Sequence, residues 1–157
     1  MTLVELFPEP TWILDLKARD KKAVIREMLQ RLVALGRLKE DGARKAERAV
    51  LRREAQGSTA IGKGLAIPHA KDCGFLNEVL GVFARSREGV PFDSADGGLV
   101  HVLFLVISPE SKADEHLDVM KRVARLLMDE KTLKFLATAE KLASLPEILK
   151  EVDDSSS

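Results

Sequence analysis

The stretch Leu99-Val100-His101-Val102-Leu103-Phe104-Leu105-Val106-Ile107-Ser108 decides the fold. Residues 102–107 are apolar on both faces, so this segment reads as a strand covered by other structure on both sides. A half-exposed strand would alternate apolar with polar residues. Working outward, residues 78–85 give a second long strand candidate. Arg87-Glu88-Gly89 and Asp96-Gly97-Gly98, between the two, read as turns. After Pro109 an amphipathic helix is expected over about 112–128, with Leu117, Met120, Val123, Ala124 and Leu127 inward. Ser111-x-x-Asp114 is a loose capping box at its start. Two short helices are expected around 132–137 and 146–152, and the polar 153–157 tail is expected to fray.

Upstream, Thr11-Trp12-Ile13-Leu14-Asp15 reads as a short first strand. From Asp20 a helical period places Val24, Ile25, Met28, Leu29, Leu32 and Leu35 on one face, and Gly36 stops it. A second helix, about 40–54, buries Ala43, Ala46, Ala49 and Val50. It carries Arg44, Arg48, Arg52 and Arg53 interleaved with Glu40, Asp41, Glu47 and Glu54, a solvated face. Two short β-like pieces, 59–61 and 65–67, sit among Gly57, Gly62, Gly64 and Pro68. No linker and no repeat interrupts this order of helices, strands and helices again. The expected fold is α/β, a mixed β-sheet sandwiched between α-helices, in a single domain over 1–157 with its core at about 3–152.

Composition narrows the function. The 157 residues carry 25 Lys+Arg against 25 Asp+Glu, a balance that argues against a nucleic-acid binder working through a broad basic face. The apolar run at 102–107 is far short of a membrane span, and no basic n-region opens the chain, so neither membrane insertion nor a signal peptide is expected. One Cys makes no intrachain disulfide and no multi-thiolate zinc site, which fits a cytoplasmic setting. There is no Tyr and there are only three His, which leaves a short list of reactive side chains.

His69 lies in Arg53-Glu54-Ala55-Gln56-Gly57-Ser58-Thr59-Ala60-Ile61-Gly62-Lys63-Gly64-Leu65-Ala66-Ile67-Pro68-His69-Ala70, among residues of little bulk. Pro68 fixes its own φ and holds Ile67 extended, which suits a strand end or edge from which His69 projects. Gly64, Ala66 and Ala70 leave space, Ser58 and Thr59 offer hydroxyls, and Arg53 offers a fork suited to phosphate. On residue types alone the same stretch also reads as a Gly-rich turn carrying a surface histidine. His116 falls in the first turns of the 112–128 helix, where free N–H groups favour anions; it reads equally as a surface His beside Glu115. His101, inside the apolar strand, reads as a partly buried, hydrogen-bonded His. The three His have no metal-ligand spacing, Cys73 reads as an ordinary small residue, and Gly64 stands where a Walker loop needs a hydroxyl.

At these residues the chain resembles the IIA component of the fructose, mannitol and nitrogen-regulatory class of the bacterial phosphoenolpyruvate-dependent phosphotransferase system. Glu54, Ile61-Gly62 and Leu65-Ala66-Ile67-Pro68-His69-Ala70 match the family signature without a gap, and Asp114-Glu115-His116-Leu117 matches a later stretch. His101 departs from it, standing where many members carry an acidic or amide residue. The resemblance implies a phosphotransferase component with a covalent phosphohistidine, needing no cofactor and no metal. His69 would take the phosphoryl group on Nε2 from an HPr-type phosphocarrier, His116 would hydrogen-bond it, and Arg53 would balance its charge. Ser58 and Thr59 are expected to support the same group. A stand-alone nitrogen-regulatory role is the leading expectation. The alternatives are a IIA that feeds a sugar permease through a IIB cysteine, and a docking module whose contact with a regulatory target is switched by phosphate on His69.

Overall fold

A computed structural model describes residues 1–155. Its elements, in chain order, are α1 (Leu3–Leu6), β1 (Trp12–Ile13), α2 (Lys21–Ala34), α3 (Glu40–Ala55), β2 (Leu65–Ala66) and β3 (His69–Ala70). They continue with β4 (Leu80–Val90), β5 (Val100–Ile107), α4 (Ala113–Leu127), α5 (Glu130–Thr138) and α6 (Leu145–Ser155). The sheet order is β1-β4-β5-β2, with β3 also on β5. β4 and β5 are antiparallel, whereas β1, β2 and β3 each pair in parallel. The sheet is therefore mixed, as expected. β2 and β3 act as one edge strand interrupted at Pro68, which has no N–H to give; its carbonyl still accepts from Val106 N at 3.1 Å.

The two-faced apolarity of β5 is used on both sides. Leu103, Leu105 and Ile107 join Val24, Ile25, Met28, Ala46 and Val50 of α2 and α3. Val102, Phe104 and Val106 join Leu3, Leu6, Val119, Val123, Leu136 and Leu145 of α1, α4, α5 and α6. Each such Val, Leu, Ile, Phe or Met side chain, fully covered, contributes roughly 1.5–3 kcal/mol of transfer free energy. α2 begins where Asp20 Oδ1 accepts from Ala23 N at 2.9 Å, and it ends at Gly36, whose φ of +73° suits a residue without a side chain. Gly81 of β4 is required for another reason. A Cβ there would lie 2.6 Å from Phe7 Cε1 and 2.8 Å from Leu6 Cγ, so α1 could not pack so closely.

Several expectations need correction. Arg87-Glu88-Gly89 does not end a strand: β4 continues through it as a bulge, and the register resumes at Val90 opposite Val100. Residues 59–61 form no strand, and Leu35 is an exposed C-cap rather than part of the inward face. No side chain caps α4, so the Ser111–Asp114 box does not form. The buried face of α4 is also rotated: His116, Val119, Arg122, Val123, Leu126 and Leu127 are inside, while Leu117 is 54% exposed. A search for apolar periodicity passes over His116 and Arg122, both of which are buried because they have partners.

Positions 153–155 of the tail belong to α6. Asp153 Oδ1 accepts from Arg122 at 2.6 Å and from Leu3 N at 2.8 Å, so one carboxylate ties α6 to α4 and to the free N–H groups of α1. The rest of the expected frayed tail, positions 156 and 157, lies outside the described residues. Among the described residues no helix is long and apolar enough to cross a membrane.

Candidate active site at the sheet edge

β3 is an edge strand, and it places His69 between the C-terminal half of α3 and the start of α4. A cleft of about 580 Å³ opens there, lined by Arg52, Arg53, Gln56, Lys71 and Asp72 beside His69, and by Asp114, His116, Leu117 and Met120 of α4. Three sequence candidates therefore meet in one cavity: His69, His116 and Arg53. The two imidazoles are 5.6 Å apart between ring centroids and tilted by 46°.

Each side chain is held by its own local structure. His69 Nδ1 lies 2.7 Å from the carbonyl oxygen of Ile67. A carbonyl can only accept, so Nδ1 carries the proton and Nε2 keeps its lone pair. Pro68 disfavours a helical Ile67 and so restricts where the carbonyl that meets the ring can lie. Burial lowers the pKa of His69, and Arg53 and Lys71 lower it further; the bond to Ile67 and the charge of Glu54 oppose them. The result is a neutral imidazole with an available Nε2.

His116 is 5% exposed, and its Nδ1 lies 2.6 Å from the Ser108 hydroxyl. Burial, then the neighbouring His69 and Lys71, push its pKa down to about 4, so it too is neutral. Arg53 Nη1 donates to the carbonyl of Gly57 at 2.8 Å, just past the end of α3. That turn is anchored by buried Glu54, which accepts from the Thr59 backbone N–H and hydroxyl and pairs with Lys21 at 3.1 Å.

Ser58 and Thr59 are not brought to the cleft. The Ser58 hydroxyl donates to Phe92 O at 2.5 Å and accepts from Ala60 N, and the Thr59 hydroxyl donates to Glu54. Both are committed to the turn. Gly64 also lies elsewhere, against His101. His101 gives its Nδ1 proton to Ser86 O at 2.9 Å, across the β4 bulge, which is the hydrogen-bonded setting expected of it. Cys73 is fully buried and burial pushes its thiol up to about 11, leaving it unreactive.

Sequence reasoning missed Ser108. The signal was a lone hydroxyl closing an apolar strand immediately before Pro109, eight residues ahead of His116.

Comparison with known proteins identifies the family. The sequence model of the family described as "Phosphoenolpyruvate-dependent sugar phosphotransferase system, EIIA 2" matches residues 5–152. The chain is 37% identical over 153 residues to the "PTS system fructose-specific EIIABC component" of Bacillus subtilis (strain 168); this covers 98% of the chain and 24% of that relative. It is 32% identical over 149 residues to a "Nitrogen regulatory protein" of Bradyrhizobium diazoefficiens, covering 95% of each. In structure it is similar to the Nitrogen Regulatory Protein IIA-Ntr from Neisseria meningitidis, with a TM-score of 0.81 and 30% identity over 92% of this chain and 97% of that one.

Proposed function

Because the chain belongs to the EIIA 2 family of the phosphoenolpyruvate-dependent sugar phosphotransferase system, we propose that it carries a phosphoryl group on His69 Nε2, taken from an HPr-type phosphocarrier. The observation that carries this reading is the Nδ1–H bond of His69 to Ile67, which leaves Nε2 free in a cleft shared with His116 and Arg53. In the transfer, the Nε2 lone pair forms the new P–N bond as the P–N bond to the donor histidine breaks. Nδ1 keeps its proton throughout, so the step needs no external base. The donor's ring leaves with its pair of electrons on nitrogen.

Catalysis of this kind rests on in-line placement and on donors for the phosphoryl oxygens. Arg53 supplies a cation, His116 a ring N–H, and the first turn of α4, which no side chain caps, its N-terminal dipole. Exposed Leu117, beside Met120 on the rim, offers an apolar contact for the donor protein. No metal and no cofactor enters the step. Ser58 and Thr59 act on it through the shape of the turn that presents Arg53, without touching the phosphoryl group.

A nitrogen-regulatory role is favoured by near full-length similarity to the Bradyrhizobium and Neisseria proteins. In that role, phosphate on His69 adds up to about two negative charges to a cleft rimmed by Arg52, Arg53 and Lys71, altering which regulatory target can dock. The second reading, transfer onward to a IIB cysteine for sugar uptake, is favoured by the fructose-specific relative. A cytoplasmic location follows from either role.

Incubation with phosphoenolpyruvate, enzyme I and HPr, followed by mass measurement, tests the proposal. An acid-labile gain of one phosphoryl group, absent in His69→Ala, is expected. No gain, or the same gain in His69→Ala, contradicts it. Capture of different targets by His69→Ala and His69→Asp would support the switch, and identical targets would argue against it.

A further inference from the structure

We propose that Ser108 is a positioning residue, whose hydroxyl donates to His116 Nδ1 and thereby fixes the tautomer that aims an Nε2–H donor at the His69 cleft. The inference rests on the carrier reading for its purpose, but its geometry stands on separate observations. Ser108 is fully buried at the junction between β5 and the turn into α4. Its backbone is already committed, the N–H to Ala70 O at 2.9 Å and the carbonyl to Cys73 N at 3.0 Å. These two bonds pin Ser108 to the segment that carries His69. Among the described residues the hydroxyl has one partner, His116 Nδ1 at 2.6 Å.

A hydroxyl can donate or accept, so the direction must be argued. If Nδ1–H donated to Ser108, the O–H would be left buried without an acceptor, which is unfavourable. The ring's other nitrogen would then be left with a lone pair and no proton to give in the cleft that it shares with His69. A phosphoryl group offers acceptor oxygens alone, so that tautomer would repel it. With Ser108 as donor both conflicts disappear: Nδ1 accepts, and Nε2–H is the group left for the cleft. The arrangement mirrors that of His69 with the sense reversed. There a carbonyl forces the proton onto Nδ1 and frees Nε2 as a nucleophile; here a hydroxyl occupies the Nδ1 lone pair and makes Nε2 a donor.

Nitrogen NMR of the histidine rings in the unphosphorylated chain reads the tautomer directly. Wild-type His116 should carry its proton on Nε2, and Ser108→Ala should lose that single tautomer. In transfer from phosphorylated HPr, Ser108→Ala should slow uptake by about tenfold, the size of one hydrogen bond. Ser108→Thr should recover most of the rate. Ser108→Ala combined with His116→Ala should be no slower than His116→Ala alone. A wild-type His116 protonated on Nδ1, or effects of the two substitutions that add in full, would overturn the assignment. If the ring assignment holds while His69 takes up no phosphoryl group, the positioning role stands and the carrier reading falls.

Discussion

His69 and His101 begin from the same local chemistry. Each gives its Nδ1 proton to a backbone carbonyl, Ile67 O at 2.7 Å and Ser86 O at 2.9 Å, and each keeps an Nε2 lone pair. They differ in what stands beyond that nitrogen. His69 shares a cleft of about 580 Å³ with a second imidazole, His116, and the guanidinium of Arg53. His101 borders a cavity of about 240 Å³ whose charged groups are Lys63, Glu130 and Lys134, with Lys63 and Glu130 already paired at 3.4 Å. A fixed tautomer makes a histidine available. On the proposed carrier reading, a neighbouring neutral donor and a forked cation are what make it a phosphoryl site.

The sharpest way to break this contrast is to remove each histidine in turn. His69→Ala should abolish phosphoryl uptake, and His101→Gln should retain it within about twofold, since it stands outside the cleft. Uptake in His69→Ala, or its loss in His101→Gln with the fold intact, would erase the distinction.

The next effect is on stability. His116 has its pKa at about 4 in the folded chain against 6.5 for the free side chain. Above pH 6.5 both states are neutral there. Between 6.5 and about 4 the unfolded chain binds the proton and the folded chain does not, so stability falls as pH falls through that window. The loss should be on the order of 3 kcal/mol. Denaturant unfolding against pH checks it: His116→Gln should lack this part of the slope, and His101→Gln should keep it. An unchanged slope in His116→Gln would mean that burial does not keep His116 neutral.

A smaller effect sharpens the role of the cation. Arg53→Lys keeps the charge but loses the fork, one arm of which already holds Gly57 O. Stopped-flow or quenched transfer from phosphorylated HPr should slow by roughly tenfold. A rate equal to that of wild type would reduce Arg53 to a point charge.

The same two regions show what the sequence made legible. The apolar run at 102–107 gave the covered central strand, and Pro68-His69 gave the edge position, because both are local properties of backbone and side-chain type. The hydroxyls of Ser58 and Thr59 were placed by proximity in sequence. Their partners, Phe92 O and Glu54, are set by how the turn packs, which spacing does not encode. Arg87-Glu88-Gly89 carried turn chemistry that a bulge also uses: at Gly89 φ is +88°, and a Cβ would lie 2.7 Å from Leu99 Cβ. The tail looked frayed by composition, yet Asp153 is half-buried by a contact with Arg122 that is distant in sequence.

The central claim is that Ile67 holds the proton on His69 Nδ1 and so dictates where phosphorus attaches. Nitrogen and phosphorus NMR of the chain phosphorylated by HPr tests it most directly. The account predicts a single phosphohistidine at His69 with phosphorus bonded to Nε2 and the proton retained on Nδ1. Phosphorus on Nδ1, or on any residue other than His69, would contradict it.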